Sequence, residues 1–427
     1  MLGGSSRSPG ANHPPAGGYR RLSVRAHAHP RADSEAPPVT MQTTRRPRVK
    51  RPAAQLNTVQ LARGFAALAV VAYHPQSTEV KYFSGTNILP EFLGRGLSGV
   101  DLFFVISGFV MVLTTRGKHG TPRQVGKFVW NRFFRIYPTY WVYSLALLPV
   151  LPVLFLAPAF INSSQGGQID ILSSFLLLPT EILPLLLVAW TLTIEVWFYV
   201  VFAVVLFLPE RMLVPALAVW FALLVIVNWA GPISANPYLE LPTNAMAIEF
   251  ILGGVAALLF RHVNRVVAAV LAVTGIVVLL SFGATTPADL YAGPGLDRPL
   301  TLGVGFALLL LAATALEHRR GIGALSRLTV LGDMFYSVYL CHVLVLAVTG
   351  RVWLTIAGSF AANPIMVAGW WVVTLAAVLT VGYLSYRLIE RPVMTVAHRW
   401  RAAVFHEKDT GSPAGATSLL VSERSLS

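Results

Sequence analysis

The sequence predicts an all-α, polytopic membrane helix bundle of about ten transmembrane helices with both termini in the cytoplasm. Three observations point there. Of the 427 residues 55% are hydrophobic and only 12% charged, about half the roughly 25% charge of a soluble domain. So few solvating side chains could not coat two or three soluble domains of this total length. Long apolar runs separated by short polar loops recur along the chain, and basic residues are shared very unequally between alternate loops. The formal charge of +14 then follows the positive-inside rule and does not call for nucleic-acid binding.

Residues 1–55 are rich in Pro, Arg, Ser, Gly and Ala without apolar periodicity and read as a disordered basic arm. No apolar core precedes residue 56, so the arm is not a signal peptide. Met41 opens a shorter basic leader, MQTTRRPRVKRPAAQ, and is a candidate start of translation. Ten stretches near the length that crosses about 30 Å of hydrocarbon follow, at about 59–76, 98–114, 136–156, 190–208, 212–230, 245–260, 266–282, 300–316, 330–349 and 366–388. An eleventh, about 171–188, is broken by Pro179, Glu181 and Pro184 and reads as re-entrant or interfacial on the outer face. With it excluded and the N-terminus inside, sixteen basic residues fall in inner loops. They are Arg116, Lys118, Arg123, Lys127, Arg132, Arg135, Arg211, Arg261, Arg265, Arg319, Arg320, Arg327, Arg387, Arg391, Arg399 and Arg401. Only Lys81, Arg95, Arg298 and Arg351 fall outside. The membrane domain runs over 56–402, and 403–427 reads as a disordered tail. The single cysteine, Cys341, excludes a disulfide scaffold and Cys-based zinc sites. No HExxH, Gly-rich phosphate loop or GxSxG elbow is present, so no metal is expected.

Ionisable residues inside apolar spans are costly and mark candidate sites. In QLARGFAALAVVAYH, Arg63 and His74 are eleven residues apart. At 100° per residue both project from one helix face, about 16 Å apart along the axis. Arg63 then lies near the inner entrance, where snorkelling to lipid phosphate is the plain alternative. His74 lies in the outer half, where an inter-helix hydrogen bond is its plain alternative. In GVDLFFVISGFVM, Asp101 falls near the outer end, where it can cap the helix. Ser107 and Gly108 in the middle allow close approach of another backbone. Glu195, in AWTLTIEVWFY, is expected inside its span at a depth comparable with Asp101 and His74. A carboxylate beside His74 would hold its tautomer and raise its basicity. Arg132 and Arg135, three residues apart in NRFFRIYP, share a helical face in the basic loop 116–135 and suit phosphate binding. Contact with anionic lipid is the alternative. Tyr339 and His342 face one side of a later span, and Glu390, in YRLIERP, stands between Arg387 and Arg391, in its plain reading as a local ion pair.

At these residues the chain resembles the acyltransferase 3 family of integral-membrane acetyltransferases, in particular its exopolysaccharide-production branch. The match runs from about Gln60 to Pro392 in five ordered segments: LARGFAALAVVAYH, GVDLFFVISGFVM, NRFFRIYPTYW, WTLTIEVWFY, and YSVYLCH followed by IERP. The resemblance implies ten spans in the cytoplasmic (inner) membrane. Acetyl-CoA or another acyl-CoA would be the donor, and a hydroxyl of an extracytoplasmic glycan, exopolysaccharide or glycolipid the acceptor. It implies His74 and Arg63 as an essential pair, with Arg132, Arg135 and Glu195 as characteristic partners. Where the family often carries an acidic residue two or three positions before the arginine, this chain has Gln60 and Leu61, which leaves Arg63 without a local carboxylate. The expected machinery is therefore His74 as base with Glu195 and Asp101 beside it, and Arg63, Arg132 and Arg135 on the donor. Ser107, Tyr339, His342 and Glu390 are further candidates. A homo-oligomer or a place in polysaccharide-synthesis machinery is compatible with this reading. The alternative function is a polytopic carrier of sugar or lipid with an intramembrane proton relay.

Overall fold

The computed structural model of the protein describes residues 56–83, 88–150, 170–231, 236–281, 295–321, 323–357 and 363–406. The basic arm, with the start proposed at Met41, and the tail beyond 406 lie outside these residues. Among the described residues the chain is all helix, with no strand.

The first half of the bundle comprises α1 (Asn57–Tyr82), α2 (Gly99–Thr115), α3 (Pro122–Leu147), the short α4 (Ile171–Leu176), α5 (Trp190–Leu206), α6 (Leu213–Trp229) and the short α7 (Pro237–Thr243). Then come α8 (Ala247–Leu259), α9 (Arg265–Ser281), α10 (Val304–Arg320), the short α11 (Thr329–Asp333), α12 (Phe335–Ala357), α13 (Pro364–Ser385) and α14 (Arg391–Val404). Single π-turns at Pro299–Gly303 and Tyr386–Glu390 open α10 and join α13 to α14.

Among these residues seven helical segments are long and apolar enough to cross a membrane: Glu91–Thr115, Leu187–Leu206, Glu210–Trp229, Pro237–Leu259, Pro299–Arg320, Phe335–Ala357 and Pro364–Val404. The expectation was about ten. The other three expected stretches fall on α1, α3 and α9. The first two, each 26 residues long, carry the charged side chains from which the site is built, and α9 has only 17 residues. Side chains such as Val219 (60% exposed), Leu223 (55%) and Ile226 (65%) form a bare apolar stripe on α6, a surface suited to lipid and not to water.

One local reading changes. The basic segment read as loop 116–135 is helical from Pro122 onward, because Pro at the first position gives up an N–H that has no helical partner there. The last helix, α14, ends at Val404. The broken stretch 171–188 holds the six-residue α4, capped by Asp170, and reaches the 3-10 turn Leu187–Ala189 that leads into α5. Ser173 donates to Asp170 through both its backbone N–H and its hydroxyl, which holds this carboxylate below its ordinary pKa. Three side chains of α3 fasten the segment: Tyr137, Tyr140 and Trp141 donate to the carbonyls of Leu176, Ser174 and Phe175.

The core lies around α2. Gly108 on α2 sits against the carbonyl of Phe250, and Gly253 on α8 against that of Val105, with no room at either for a β-carbon. This mutual approach locks α2 to α8, the small-residue packing that apolar surroundings favour. Phe250 then stacks on Phe198 of α5 with ring centroids 3.7 Å apart, and on Phe104 at 4.8 Å. The other end of the bundle is tied across the chain: Glu317 of α10 accepts from the N–H groups of Asn57 (2.7 Å) and Thr58 (2.8 Å). It caps α1 from 260 residues away.

Candidate functional site

The spacing of α1 places Gln60 and Arg63 one turn apart near its start and His74 three turns further on. Arg63, from α1, and Arg132 and Arg135, from α3, line two adjoining cavities. One cavity is closed by Gln60, Asn131, Gly332, Asp333, Tyr386, Glu390 and Arg391. The other runs inward between α2, α5 and α12, past Phe103, Ser107, Thr191, Glu195, Tyr199, Phe335, Tyr336 and Tyr339. No metal-capable group of three or more His, Cys, Asp or Glu occurs among the described residues.

Each arginine is held differently. Arg135 is paired with Glu390, whose second oxygen accepts from Ser337 Oγ at 2.7 Å. Glu390 is therefore not the local partner of Arg387 and Arg391 that its sequence neighbours suggest. The π-turn shifts the helical register so that Tyr386 and Glu390 (2% exposed) face inward while Leu388 faces out. Arg63 donates to Gln60 Oε1 (3.0 Å), and Gln60 Nε2 donates to Asp333 Oδ1 (3.1 Å). The missing local carboxylate is supplied at one remove, from α11. Arg132 makes one long hydrogen bond to Thr114 (3.4 Å), its Nε is buried without a partner, and its guanidinium lies over the rings of Phe128 and Tyr199. Phe335 carries both Arg63 (5.2 Å) and Arg135 (5.0 Å) over its ring. Three guanidinium groups against one directly paired carboxylate leave the junction of the cavities suited to an anion.

On α5, Thr191, Glu195 and Tyr199 repeat every four residues and so share a face. Glu195 accepts from Ser107 Oγ (2.8 Å) and from the Tyr199 hydroxyl. Thr191 Oγ1 lies 2.7 Å from the Tyr339 hydroxyl, which also donates to the Val188 carbonyl at 3.1 Å. One turn beyond Tyr339 is His342, wholly buried. Its Nε2 is 3.3 Å from His74 Nδ1, with the rings edge to face at 4.8 Å.

This dyad fixes both tautomers. His342 Nδ1 is 2.7 Å from the Tyr339 carbonyl and His74 Nδ1 is 3.0 Å from the Val70 carbonyl. A carbonyl only accepts, so in each neutral ring Nδ1 carries the hydrogen. The His342 Nε2 lone pair then faces His74 Nδ1–H, and the basic nitrogen of His74 is Nε2.

The expected carboxylate beside His74 is replaced by this second histidine. Asp101 is fully buried, but it holds Arg298 in a bidentate pair, Nε to Oδ1 at 2.8 Å and Nη2 to Oδ2 at 2.9 Å. The phase of α2 explains this. Asp101, Val105 and Gly108 share the face turned to α8, whereas Val100, Phe103, Phe104 and Ser107 share the face on the cavity. Glu195 does reach the cavity, bound to Ser107 and not to His74. Sequence reasoning gave no site role to Tyr199, Thr191, Asp333 and Arg298, and took Gln60 only as standing where an acid is expected. The four-residue repeat on α5 was a readable signal for the first two. Arg298 lies outside any periodic pattern and gave none.

Residues 56–387 match the family model described as an acyltransferase domain, the acyltransferase 3 model. The chain belongs to the acyltransferase 3 family. This acyltransferase is 31% identical over 320 residues to the exopolysaccharide production protein ExoZ of Rhizobium meliloti, covering 70% of this chain and 90% of ExoZ. It is 25% identical over 373 residues to the peptidoglycan O-acetyltransferase OatA of Listeria monocytogenes, covering 78% of this chain and 54% of OatA. A third relative, the putative membrane-bound transacylase BcsY of Komagataeibacter xylinus, is 26% identical over 361 residues, with coverage of 79% and 82%. No solved structure matches. Family membership makes the protein a multi-pass membrane enzyme of acyl transfer and sets aside the carrier reading.

Proposed function

We propose that this acyltransferase moves an acetyl or other short acyl group from cytoplasmic acyl-CoA to a hydroxyl of an extracytoplasmic glycan, exopolysaccharide or glycolipid. The observation that carries the proposal is the meeting of Arg63, Arg132 and Arg135 at the junction of two cavities, one of which leads toward the turn bearing Tyr339 and His342. The names of ExoZ and OatA support the acceptor class.

CoA phosphates bind the guanidinium groups in this reading, and the thioester end points along α1 toward His74, about 16 Å deeper. A sugar hydroxyl is a poor nucleophile near neutral pH, so a base must take its proton as it attacks. His74 Nε2 removes that proton while the hydroxyl oxygen bonds to the thioester carbonyl carbon. The carbon–sulfur bond then breaks, and the departing CoA thiolate recovers the proton from the imidazolium. His342 and the Val70 carbonyl orient His74 through Nδ1. Glu195 holds the Ser107 and Tyr199 hydroxyls on the cavity wall, and Asp101 serves the helix packing through Arg298. The acetyl group thus crosses to the outer face without CoA crossing. The deciding experiment presents purified protein in nanodiscs with labelled acetyl-CoA and extracted glycan. Label appearing in glycan as an ester supports the proposal, and wild-type protein that moves none refutes it.

Two expected outcomes arise from this reading. Arg135→Lys keeps the charge but loses the fork geometry. It is expected to weaken acyl-CoA binding several-fold, and Arg135→Ala more strongly, as read by isothermal titration. Unchanged affinity in both variants would assign these arginines to topology alone. The sixteen-to-four distribution of basic residues also puts both termini inside, so a reporter fused after Arg401 is expected to be cytoplasmic. Activity of an extracytoplasmic reporter there would refute the topology.

A further inference from the structure

We propose that the first half of α3 and the helix α14 form a binding site for an anionic phospholipid, with an acyl chain in an aromatic groove and the phosphate at Arg123 and Lys127. The groove holds about 650 Å³. It is lined by Gly126, Val129, Trp130, Phe133 and Phe134 of α3 and by Phe207 beyond the end of α5. It shares no lining residue with the two cavities of the candidate site and is independent of the reaction assigned to them. The α3 residues recur at intervals of three and four and so make one stripe of the helix. The one polar side chain in the lining is Trp130, and its indole N–H is taken by the Ala397 carbonyl of α14 at 3.1 Å. The groove therefore offers an alkyl chain a continuous apolar bed.

The helix α14 extends this surface. The near-continuous helix Pro364–Val404 has 41 residues, about 60 Å at 1.5 Å per residue and twice the hydrocarbon thickness, so α14 continues beyond the span formed by α13. On α14, Val396, Trp400 and Val404 follow one another at four-residue intervals and are all exposed. Trp400 meets Phe134 of the groove with ring centroids 6.3 Å apart. Away from this face stand the exposed Arg399 and Arg401, the latter donating to Asn131 Oδ1 at 2.9 Å. A helix with tryptophan on its apolar face and arginine on its polar one is suited to a membrane surface.

The rim of the groove is cationic. Phe405 forms one edge: a β-carbon on Gly126 would stand 3.2 Å from its ring, and Trp130 meets it edge-on at 6.2 Å. Two cations gather on that residue, Arg123 donating to its carbonyl and Lys127 lying 5.9 Å from its ring centroid. From Arg116 to Arg135 there are six Lys and Arg and no acid. Glu210, brought against this segment, accepts from the Gly117 N–H at 3.0 Å. An apolar bed ending at clustered cations complements a lipid with an alkyl tail and a negative head. A zwitterionic lipid brings its own cation to the same rim, which disfavours it there.

The test reconstitutes the full chain in nanodiscs of equal parts phosphatidylglycerol and phosphatidylcholine and reads, by native mass spectrometry, which lipid stays bound. Wild-type protein is expected to retain phosphatidylglycerol over phosphatidylcholine. Arg123→Gln and Lys127→Gln are expected to lower that preference about fivefold each, and about 25-fold together. Val129→Trp, at an exposed position of the groove, is expected to abolish retention with both cations in place. Should Arg123→Gln loosen the end of α14, Lys127→Gln carries the charge test alone. Equal retention of the two lipids by wild-type protein would overturn the proposal, as would a preference unmoved by these substitutions. Retention that rises several-fold on deleting residues 407–427 would make the tail the occupant and overturn it too. A lipid-free dimer that Val129→Trp dissociates would do the same in favour of a second copy of the chain.

Discussion

Replacing His74 by alanine is expected to lower acyl transfer by about 10²–10⁴-fold, the range supplied by a positioned general base, while expression and acyl-CoA binding persist. The arginines that hold the donor in the proposed reading lie about 16 Å along α1 from the substituted position, so binding and chemistry separate. The measurement is single-turnover transfer from labelled acetyl-CoA alongside direct binding titration. A His74→Ala protein that acylates its acceptor near the wild-type rate would refute the base assignment. Loss of binding together with rate would show instead that the substitution disturbs the bundle. In the proposed reading His342 shares the dyad but not the role of base, since its Nε2 faces Nδ1 of His74 and not the Nε2 assigned to proton transfer.

The second large effect is expected on stability. Asp101, fully buried, and Arg298, buried to 8% exposure, form a bidentate pair, and removing one partner of a buried pair costs about 3–5 kcal/mol. Asp101→Ala is expected to fall within that range. The double variant Asp101→Leu with Arg298→Met should recover most of the loss, since an apolar replacement of a buried pair is often neutral. Thermal unfolding in detergent measures both. A single Asp101 variant with full stability and lost turnover would return this residue to the catalytic group.

That second case marks the limit of what periodicity can deliver. Arg63 and His74 sit on one helix, so 100° per residue suffices to align them, and Arg132 and Arg135 follow the same rule. Spacing along a single helix was readable too, because it depends only on the rise per residue. The azimuth of one helix against another was not. Asp101 looks toward α8, since Gly108, seven residues on, is the position at which the α8 backbone enters. Nor could local spacing pair Glu390 with Arg135, 255 residues away, when two arginines flank it in sequence. A π-turn decided that choice, and no residue pattern announced it. Likewise Gln60 looked like a lost carboxylate until α11 brought Asp333 to it. The span count suffered for a related reason: α1 and α3 carry enough charge to fall below the apolarity of their neighbours because the site is built on them.

The cap that Glu317 places on α1 has a bearing on biosynthesis. At roughly 5–20 residues per second of synthesis, the 260 residues between Asn57 and its cap take roughly 10–50 s to emerge. During that interval the first helix waits in the membrane with the opening N–H groups of its leading turn unsatisfied by protein. The same interval separates His74 from His342 and Gln60 from Asp333, and the partner of Arg135 arrives nearly as late. Early helices carry one half of each pair and late helices the other. A nascent or truncated chain therefore holds arginines and a histidine but no assembled centre, and the ribosome's own timetable withholds acyl transfer until the last helices are in place.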